Sequence, residues 1–231
     1  MKVDKAARYI GGEVNSVMKD KNEVDIRFAM CFPDVYEIGM SNLGMMILYN
    51  MFNQREDVWC ERLFSPWPDL DKVMREEKIP LFALESQEPI RDFDFLGITI
   101  GYEMCYTNIL QVLDLSGIPL KSVDRGEDFP IVIGGGACAY NPEPLAPFFD
   151  LFYIGEGETV YDALFDAYKA NKKDGGSRKD FLLAAAKIPG IYVPSLYEVT
   201  YKEDGTIASF APTADGVPEK VQKQLIIDME K

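Results

Sequence analysis

Short apolar runs alternate with longer segments of helical periodicity over the first 170 residues of the chain. The apolar runs are bounded by proline, glycine or polar residues, as buried strands commonly are. They lie at residues 24–32, 58–64, 81–84, 95–100, 131–133 and 151–154. The helical segments lie at residues 43–53, 69–78, 104–115 and 159–170. This alternation predicts an α/β fold, a Rossmann-like (flavodoxin-like) parallel sheet with helices on both faces.

Side chains that can cap a helix stand at the start of three of the four helical segments. Ser41 or Asn42 stands before the first segment, while Asp69 and Thr159 are the first residues of the second and the last. Their oxygens can accept a hydrogen bond from an otherwise unpaired backbone N–H of the first turn. These residues therefore predict where the helices begin.

The pattern changes after residue 171. A polar, glycine-containing stretch at 172–177 indicates a linker, and residues 181–187 predict a short helix. Two runs of β-forming residues, 197–201 and 207–210, flank an Asp-Gly pair at 204–205, which is typical of a β-hairpin. Residues 217–231 then show a helical pattern without a stop signal.

These changes predict three parts. Residues 1–23 form an N-terminal extension, and residues 24–171 form the Rossmann-like domain. Residues 172–231 form an appendage of linker, short helix, β-hairpin and bridging helix.

Composition narrows the class of protein. With 47% hydrophobic residues, the 231-residue chain can bury a substantial core. The net charge of −14 argues against direct nucleic-acid binding, which usually requires a basic surface. The chain has no hydrophobic signal region near Met1 and no apolar run of the ~20 residues that a membrane helix needs. We therefore expect a soluble, cytoplasmic protein without membrane partners.

The four cysteines are scattered at positions 31, 60, 105 and 138, and no two form a Cys-x-x-Cys motif. Buried free thiols in a reducing compartment are the simplest interpretation. A metal site assembled from them by the fold remains an alternative.

Unusual loops follow four of the predicted strands, at residues 34–39, 99–102, 134–140 and 155–158. In an open parallel sheet these loops meet at the carboxyl ends of the strands, where ligands bind near the reversal of strand order. Their shared position predicts one binding site at this edge.

The first loop, Asp34-Val-Tyr36-Glu-Ile-Gly39, has the spacing of the cobalamin-binding motif Asp-x-His-x-x-Gly with tyrosine in place of histidine. The 231 residues contain no histidine that could compensate. A neutral phenol is a poor metal ligand, and its pKa lies near 10. We therefore expect that Tyr36 does not ligate cobalt, even if cobalamin binds.

Taken together, these loops resemble the N-terminal cobalamin-binding-like domain of radical SAM proteins. The likeness spans residues 24–170 and includes the Asn141-Pro-Glu-Pro segment and Gly155-Glu-Gly-Glu158. The resemblance implies a deep slot for the dimethylbenzimidazole tail of cobalamin, with glycines where side chains would block it. The cofactor-binding residues it implies are Asp34, Tyr36, Gly39, Thr99, Gly101, Gly134, Gly135, Gly155 and Glu156.

The resemblance also implies where catalysis takes place. A radical SAM centre needs Cys-x-x-x-Cys-x-x-Cys to hold a 4Fe-4S cluster that binds S-adenosylmethionine, and this run is absent from the chain. We therefore expect the cluster, SAM and the catalytic residues in a downstream radical SAM domain, which is the partner of this module.

Two other functions remain open at this stage. The lost histidine favours a degenerate Rossmann-like scaffold that docks without binding cobalamin. An open slot between Thr99 and Gly134 would favour cofactor binding, whereas side chains filling it would favour the scaffold. A nucleotide-binding enzyme is disfavoured, because no Gly-x-Gly-x-x-Gly follows the first strand and no P-loop is present.

Overall fold

The computed structural model describes residues 3–227, and its centre is a six-stranded sheet. The strand order is β2-β1-β3-β4-β5-β6, with the first five strands parallel and β6 antiparallel. The strands are β1 (Ile26–Phe32), β2 (Val58–Phe64), β3 (Phe95–Thr99), β4 (Ile131–Gly135), β5 (Leu151–Tyr153) and β6 (Ile191–Tyr192). The order of the parallel strands is that of flavodoxin-like folds, so the predicted fold class is confirmed.

Helices cover both faces of the sheet and confirm the four predicted in the first 170 residues. They are α1 (Tyr36–Gly39), α2 (Leu43–Gln54), α3 (Pro68–Glu77), α4 (Tyr106–Leu115), α5 (Tyr161–Lys173) and α6 (Arg178–Ala185). Short 3-10 turns lie at Ala6–Arg8, Ile90–Asp92, Glu103–Cys105, Ser122–Asp124, Ala137–Tyr140, Glu143–Phe148, Gly157–Thr159 and Pro194–Leu196. Asp69 and Thr159 were wrong as N-caps, because α3 begins one residue before Asp69 and α5 begins after Val160.

Of the two predicted cap residues of α2, Asn42 is the one that caps it. Its Oδ1 accepts a hydrogen bond from the backbone N–H of Met45 at 2.9 Å. Replacing Asn42 with alanine leaves this donor unpaired. We expect the free energy of unfolding to fall by about 1 kcal/mol, as measured by urea denaturation. Asn42→Asp keeps the acceptor and should stay within a few tenths of a kcal/mol of the wild type; equal losses in both variants would contradict the capping role.

The core divides according to the face of the sheet, because successive side chains of a strand point in opposite directions. In β1, Phe28 and Met30 pack on the face covered by α2, α5 and α6. Ala29 and Cys31 pack on the opposite face, with α3 and α4. All seven residues of β1 are buried, which explains why six of them are apolar. The exception is Arg27, whose guanidinium pairs with the buried Glu61 at 2.6 Å.

The α/β layer continues beyond residue 171, because α6 and β6 pack on the same sheet. Ser177 and Asp180 form a reciprocal capping box at the start of α6. Strand β6 then pairs with β5, with Tyr192 opposite Phe152. A strand of only two residues gives too short a pattern to be predicted from sequence.

The predicted strand at 81–84 is reduced to a single β-bridge between Phe82 and Pro89. Leu84 instead donates its backbone N–H to the carbonyl oxygen of Arg62 at 2.8 Å. Apolar residues are needed here because Leu81, Ala83 and Leu84 are buried, although the segment does not join the sheet.

The C-terminal hairpin, β7 (Tyr197–Tyr201) and β8 (Ile207–Pro212), is present as predicted. The bridging helix is wrong for residues 217–227, which contain no helix, and its remaining residues 228–231 lie outside the described range. Gln224 is held in an extended backbone instead: its N–H donates to the Ile154 carbonyl and its carbonyl accepts from Glu156, at 3.0 and 3.1 Å. A helix would require those groups to bond within the segment.

Candidate functional site

A cavity opens at the carboxyl ends of the strands, between the sheet and helices α2 and α5. Its volume is about 190 Å³. This is many times the space that one water needs. Thr99, Gly135 and Gly155 line its sheet side, while Met45 and Leu48 of α2 line the other. We call this cavity the slot.

The floor of the slot is aromatic. A Cβ added to Gly97 would lie 2.4 Å from the ring of Phe28, so this glycine lets the ring cross β3. Phe28 in turn contacts Phe52 and Tyr161, with ring centroids 5.0 and 6.2 Å away. This cluster closes the deep end and offers ring surfaces to a flat ligand.

A few polar side chains line the slot. They are Asn42, Thr99 and Glu158, together with the hydroxyl-bearing Tyr153 and Tyr161. Among the lining residues in the described range, none is a lysine or arginine. The slot therefore favours a neutral, largely apolar group over a phosphate.

The two glycines of the predicted Gly134-Gly135 pair face opposite sides of the sheet. A Cβ on Gly134 would lie 2.6 Å from the ring of Phe152, so this residue is packed into the core on the far face. A Cβ on Gly135 would have no atom of the described chain within 4 Å, apart from its neighbours. Gly135 stands opposite Thr99 in the sheet register. The open space that would favour cofactor binding therefore lies over the neighbouring residues Thr99 and Gly135, while Gly134 faces away from it.

Asp34 is fixed immediately after β1 at the point where strand order reverses. Its Oδ1 accepts a hydrogen bond from the N–H of Val35 at 2.7 Å. Its Oδ2 accepts one from the hydroxyl of Tyr102 at 3.1 Å. Asn108 of α4 donates to the carbonyl oxygen of Pro33 at 2.9 Å. These bonds join the loops after β1 and β3 across the switch point.

Tyr36 is directed toward the N-terminal extension. Its hydroxyl donates to Glu13 Oε1 at 3.0 Å, and its ring packs edge-on against Phe64 at 5.5 Å. Partial burial and the hydrogen bond to Glu13 raise the pKa of Tyr36 above its usual value. The phenol therefore keeps its proton at neutral pH, which makes it a still poorer metal ligand.

Gly39 and Gly101 stand in different surroundings. A Cβ on Gly39 would lie 2.2 Å from the ring of Phe64, so close packing of α1 on β2 requires glycine here. A Cβ on Gly101 would meet nothing within 4 Å in the described structure. Gly39 has a packing role on this geometry, while Gly101 lies in the open loop after β3.

Gly155 lies where the C-terminal segment crosses the sheet edge. Its φ of +135° and the Gln224 carbonyl, which would stand 2.3 Å from an added Cβ, both require glycine. The side chain of Glu156 accepts a hydrogen bond from the N–H of Ile226. Glu156 therefore holds the C-terminal segment and does not line the slot.

A buried ion-pair network stands beside Tyr36 and gives no signal in the sequence. The side chains of Arg62 and Glu85 are fully buried, and Arg62 Nε donates to Glu85 Oε1 at 2.6 Å. Arg62 also donates to Ser16 Oγ at 2.8 Å and lies 3.4 Å from Glu13 Oε2. These contacts join the N-terminal extension to β2 and explain why Glu13 can reach Tyr36.

The described residues show neither a membrane span nor a metal centre. Within residues 3–227, no helix has the length and apolar character to cross a membrane. Over the same residues, no three or more His, Cys, Asp or Glu side chains are grouped to hold a metal ion.

Comparison with known proteins gives the family. An uncharacterized protein of Methanocaldococcus jannaschii is 26% identical over 131 residues, which are 56% of this chain and 24% of that protein. The chain thus matches about a quarter of the relative's length. No solved structure matches this chain. The sequence model described as "Radical SAM proteins, N-terminal" matches residues 44–194, well over half of the chain. The chain belongs to this radical SAM N-terminal family.

Proposed function

We propose that this chain is the cobalamin-binding-like module of a radical SAM enzyme, with the slot receiving the dimethylbenzimidazole tail. The observation that carries the proposal is the open space at Gly135, opposite Thr99 and above an aromatic floor. A flat, neutral ring system suits this lining, because it needs apolar walls and no cation.

The body of the ligand would lie on the carboxyl edge of the sheet, at the loops that follow β1, β3 and β4. Thr99 and Gly135 would hold the tail, while the loops containing Asp34 and Gly101 would lie beneath the larger ring. When bound, cobalamin would supply methyl-transfer chemistry at its cobalt. The chain's contribution is to bind and orient it, since Tyr36 is already paired with Glu13.

The proposed partner is a downstream radical SAM domain of the same protein, which would carry the 4Fe-4S cluster and SAM. Family membership supports this arrangement. Residues 172–227, from the end of α5 through the hairpin, would form the connection, with the segment around Gln224 lying beside Gly155.

A scaffold without cofactor is the second candidate. The ring of Phe28 crosses Gly97 and closes the deep end of the slot, and Tyr36 replaces the missing histidine without facing the ligand. Under this hypothesis the carboxyl edge would only dock against the catalytic domain.

Hydroxocobalamin added to the purified protein separates the two candidates. The proposal expects a change in the visible spectrum and retention of about one equivalent after desalting. Unchanged spectra and complete loss of the corrinoid on desalting would overturn it and leave the scaffold.

The cobalt environment provides a further prediction. If the tail occupies the slot and no protein imidazole exists, cob(II)alamin bound to the protein should lack an axial nitrogen. Its electron paramagnetic resonance spectrum should then lack the three-line nitrogen splitting that free cob(II)alamin shows at neutral pH. Persistence of that splitting in the bound form would place the tail on cobalt and outside the slot.

A further inference from the structure

Exposed apolar side chains cluster on the loops that follow the parallel strands. Leu43 at the start of α2 is 73% exposed, Met104 after β3 is 81% exposed and Tyr140 after β4 is 53% exposed. Apolar groups gathered on one edge next to a cavity are typical of a ligand-binding surface. Tyr102, at 45% exposure, stands among them.

Tyr102 is oriented from both its backbone and its hydroxyl. Its carbonyl oxygen accepts hydrogen bonds from the N–H and Sγ of Cys105, at 3.3 and 2.9 Å. Its hydroxyl donates to Asp34 Oδ2 at 3.1 Å, and Val35 fixes the other oxygen of that carboxylate. An exposed aromatic ring held in this way loses little conformational freedom when it meets a ligand.

The donated proton determines the chemistry of this phenol. The hydrogen bond to Asp34 raises the pKa of Tyr102, so the hydroxyl stays protonated at neutral pH. Because its proton is directed to Asp34, the Tyr102 oxygen can only accept from a ligand. Such an acceptor suits the amide N–H groups at the rim of a corrin ring.

Tyr36 differs from Tyr102 on each of these points. Its hydroxyl is bonded to Glu13, its ring packs against Phe64, and the partly buried side chain packs against the core. The carboxylate of the Asp34-x-Tyr36 motif is thus paired with a different tyrosine from the one in the motif.

We propose that Tyr102, positioned by Asp34, contacts the corrin ring of the bound cofactor, an inference that rests on the proposed function. Tyr36 instead anchors the N-terminal extension. Tyr102 would pack its ring and offer its oxygen, without ligating cobalt. A corrinoid whose tail enters the slot at Thr99 would pass over Tyr102, three residues further along the same loop.

The test compares two probes and three variants of the whole chain. Hydroxocobalamin engages the slot and the edge, whereas dicyanocobinamide lacks the nucleotide tail and engages the edge alone. Quenching of tryptophan fluorescence reports binding, because Trp67 is half-exposed after β2. We expect Tyr102→Ala to weaken both probes about tenfold and Tyr102→Phe, which keeps the ring, about two- to threefold. Tyr36→Phe, the matched control, should stay within about twofold.

The outcomes distinguish this inference from the proposed function. If the wild type binds cobalamin and Tyr102→Ala binds it equally well, the inference fails and the proposed function stands. If Tyr36→Phe loses affinity and Tyr102→Phe does not, the two roles are reversed and the inference fails. If the wild type binds neither probe, the proposed function fails and the inference with it. Thermal melts check folding, which we expect to be unchanged because Tyr102 lies at the surface.

Discussion

Replacing Gly135 with leucine is expected to weaken hydroxocobalamin binding about tenfold or more and to leave dicyanocobinamide binding unchanged. The leucine would enter the slot, where a Cβ meets no described atom within 4 Å, and would occupy the space proposed for the tail. Burying a ring of this size contributes about 2–3 kcal/mol, which sets the size of the loss. The two affinities can be measured by isothermal titration calorimetry.

The matched control for this variant is Gly126→Leu. Gly126 also has open space around its Cβ within the described structure, but it lies before β4, at the opposite end of the sheet from the slot. The Gly126→Leu variant should bind both ligands with the same affinity as the wild type. If Gly135→Leu weakens the binding of both ligands equally, the variant disturbs the carboxyl edge of the sheet and not the slot. If it weakens the binding of neither ligand, Gly135 is not part of the tail site.

Replacing Arg62 with methionine is expected to cost about 3–5 kcal/mol of stability, because it leaves the buried Glu85 carboxylate without its partner. The change also removes the guanidinium from the ring of Tyr49, 4.6 Å away. In a chain of this length the loss corresponds to a melting temperature lower by roughly 10 °C. Arg75→Met is the matched control: its exposed pairs with Asp71 and Asp114 should contribute less than about 1 kcal/mol.

The cost of Arg62→Met should depend on pH. Burial raises the pKa of the Glu85 carboxyl, and Arg62 opposes that rise. Without Arg62, the pKa of Glu85 in the folded protein rises further above its value in the unfolded chain. A raised folded-state pKa stabilises the fold at low pH, where the carboxyl is protonated. This stabilisation is lost as the pH increases through the folded-state pKa. The difference from the wild type should therefore grow between about pH 5 and pH 8.

A second substitution identifies the cause of this cost. Arg62→Met/Glu85→Gln removes both charges and should recover much of the loss. A double variant as unstable as the single one, together with a difference that does not change with pH, would assign the cost to packing instead.

The sequence predicted the parts of the fold that local pattern determines. The buried strand Val58–Phe64 matches its prediction residue for residue, and Asn42 caps α2 as expected. This run is recognisable although it contains Glu61 and Arg62, because its other five side chains are apolar and Pro66 follows it. By contrast, β6 has two residues, and its place was set by pairing with β5.

The contacts around the candidate site were less accessible, because residues far apart in sequence make them. Glu13 reaches Tyr36, and Tyr102 reaches Asp34 across 68 positions. The motif spacing alone suggested that Asp34 and Tyr36 act together. Likewise, the helical pattern after residue 217 gave no sign that Gln224 would pair with Gly155.

The ratio of two affinities tests the central claim most directly, because only one of the two ligands has a tail to place in the slot. Calorimetry of the wild-type protein should show hydroxocobalamin binding about tenfold or more tightly than dicyanocobinamide. Equal affinities, or no binding of either ligand, would contradict a tail site in the slot over Thr99 and Gly135.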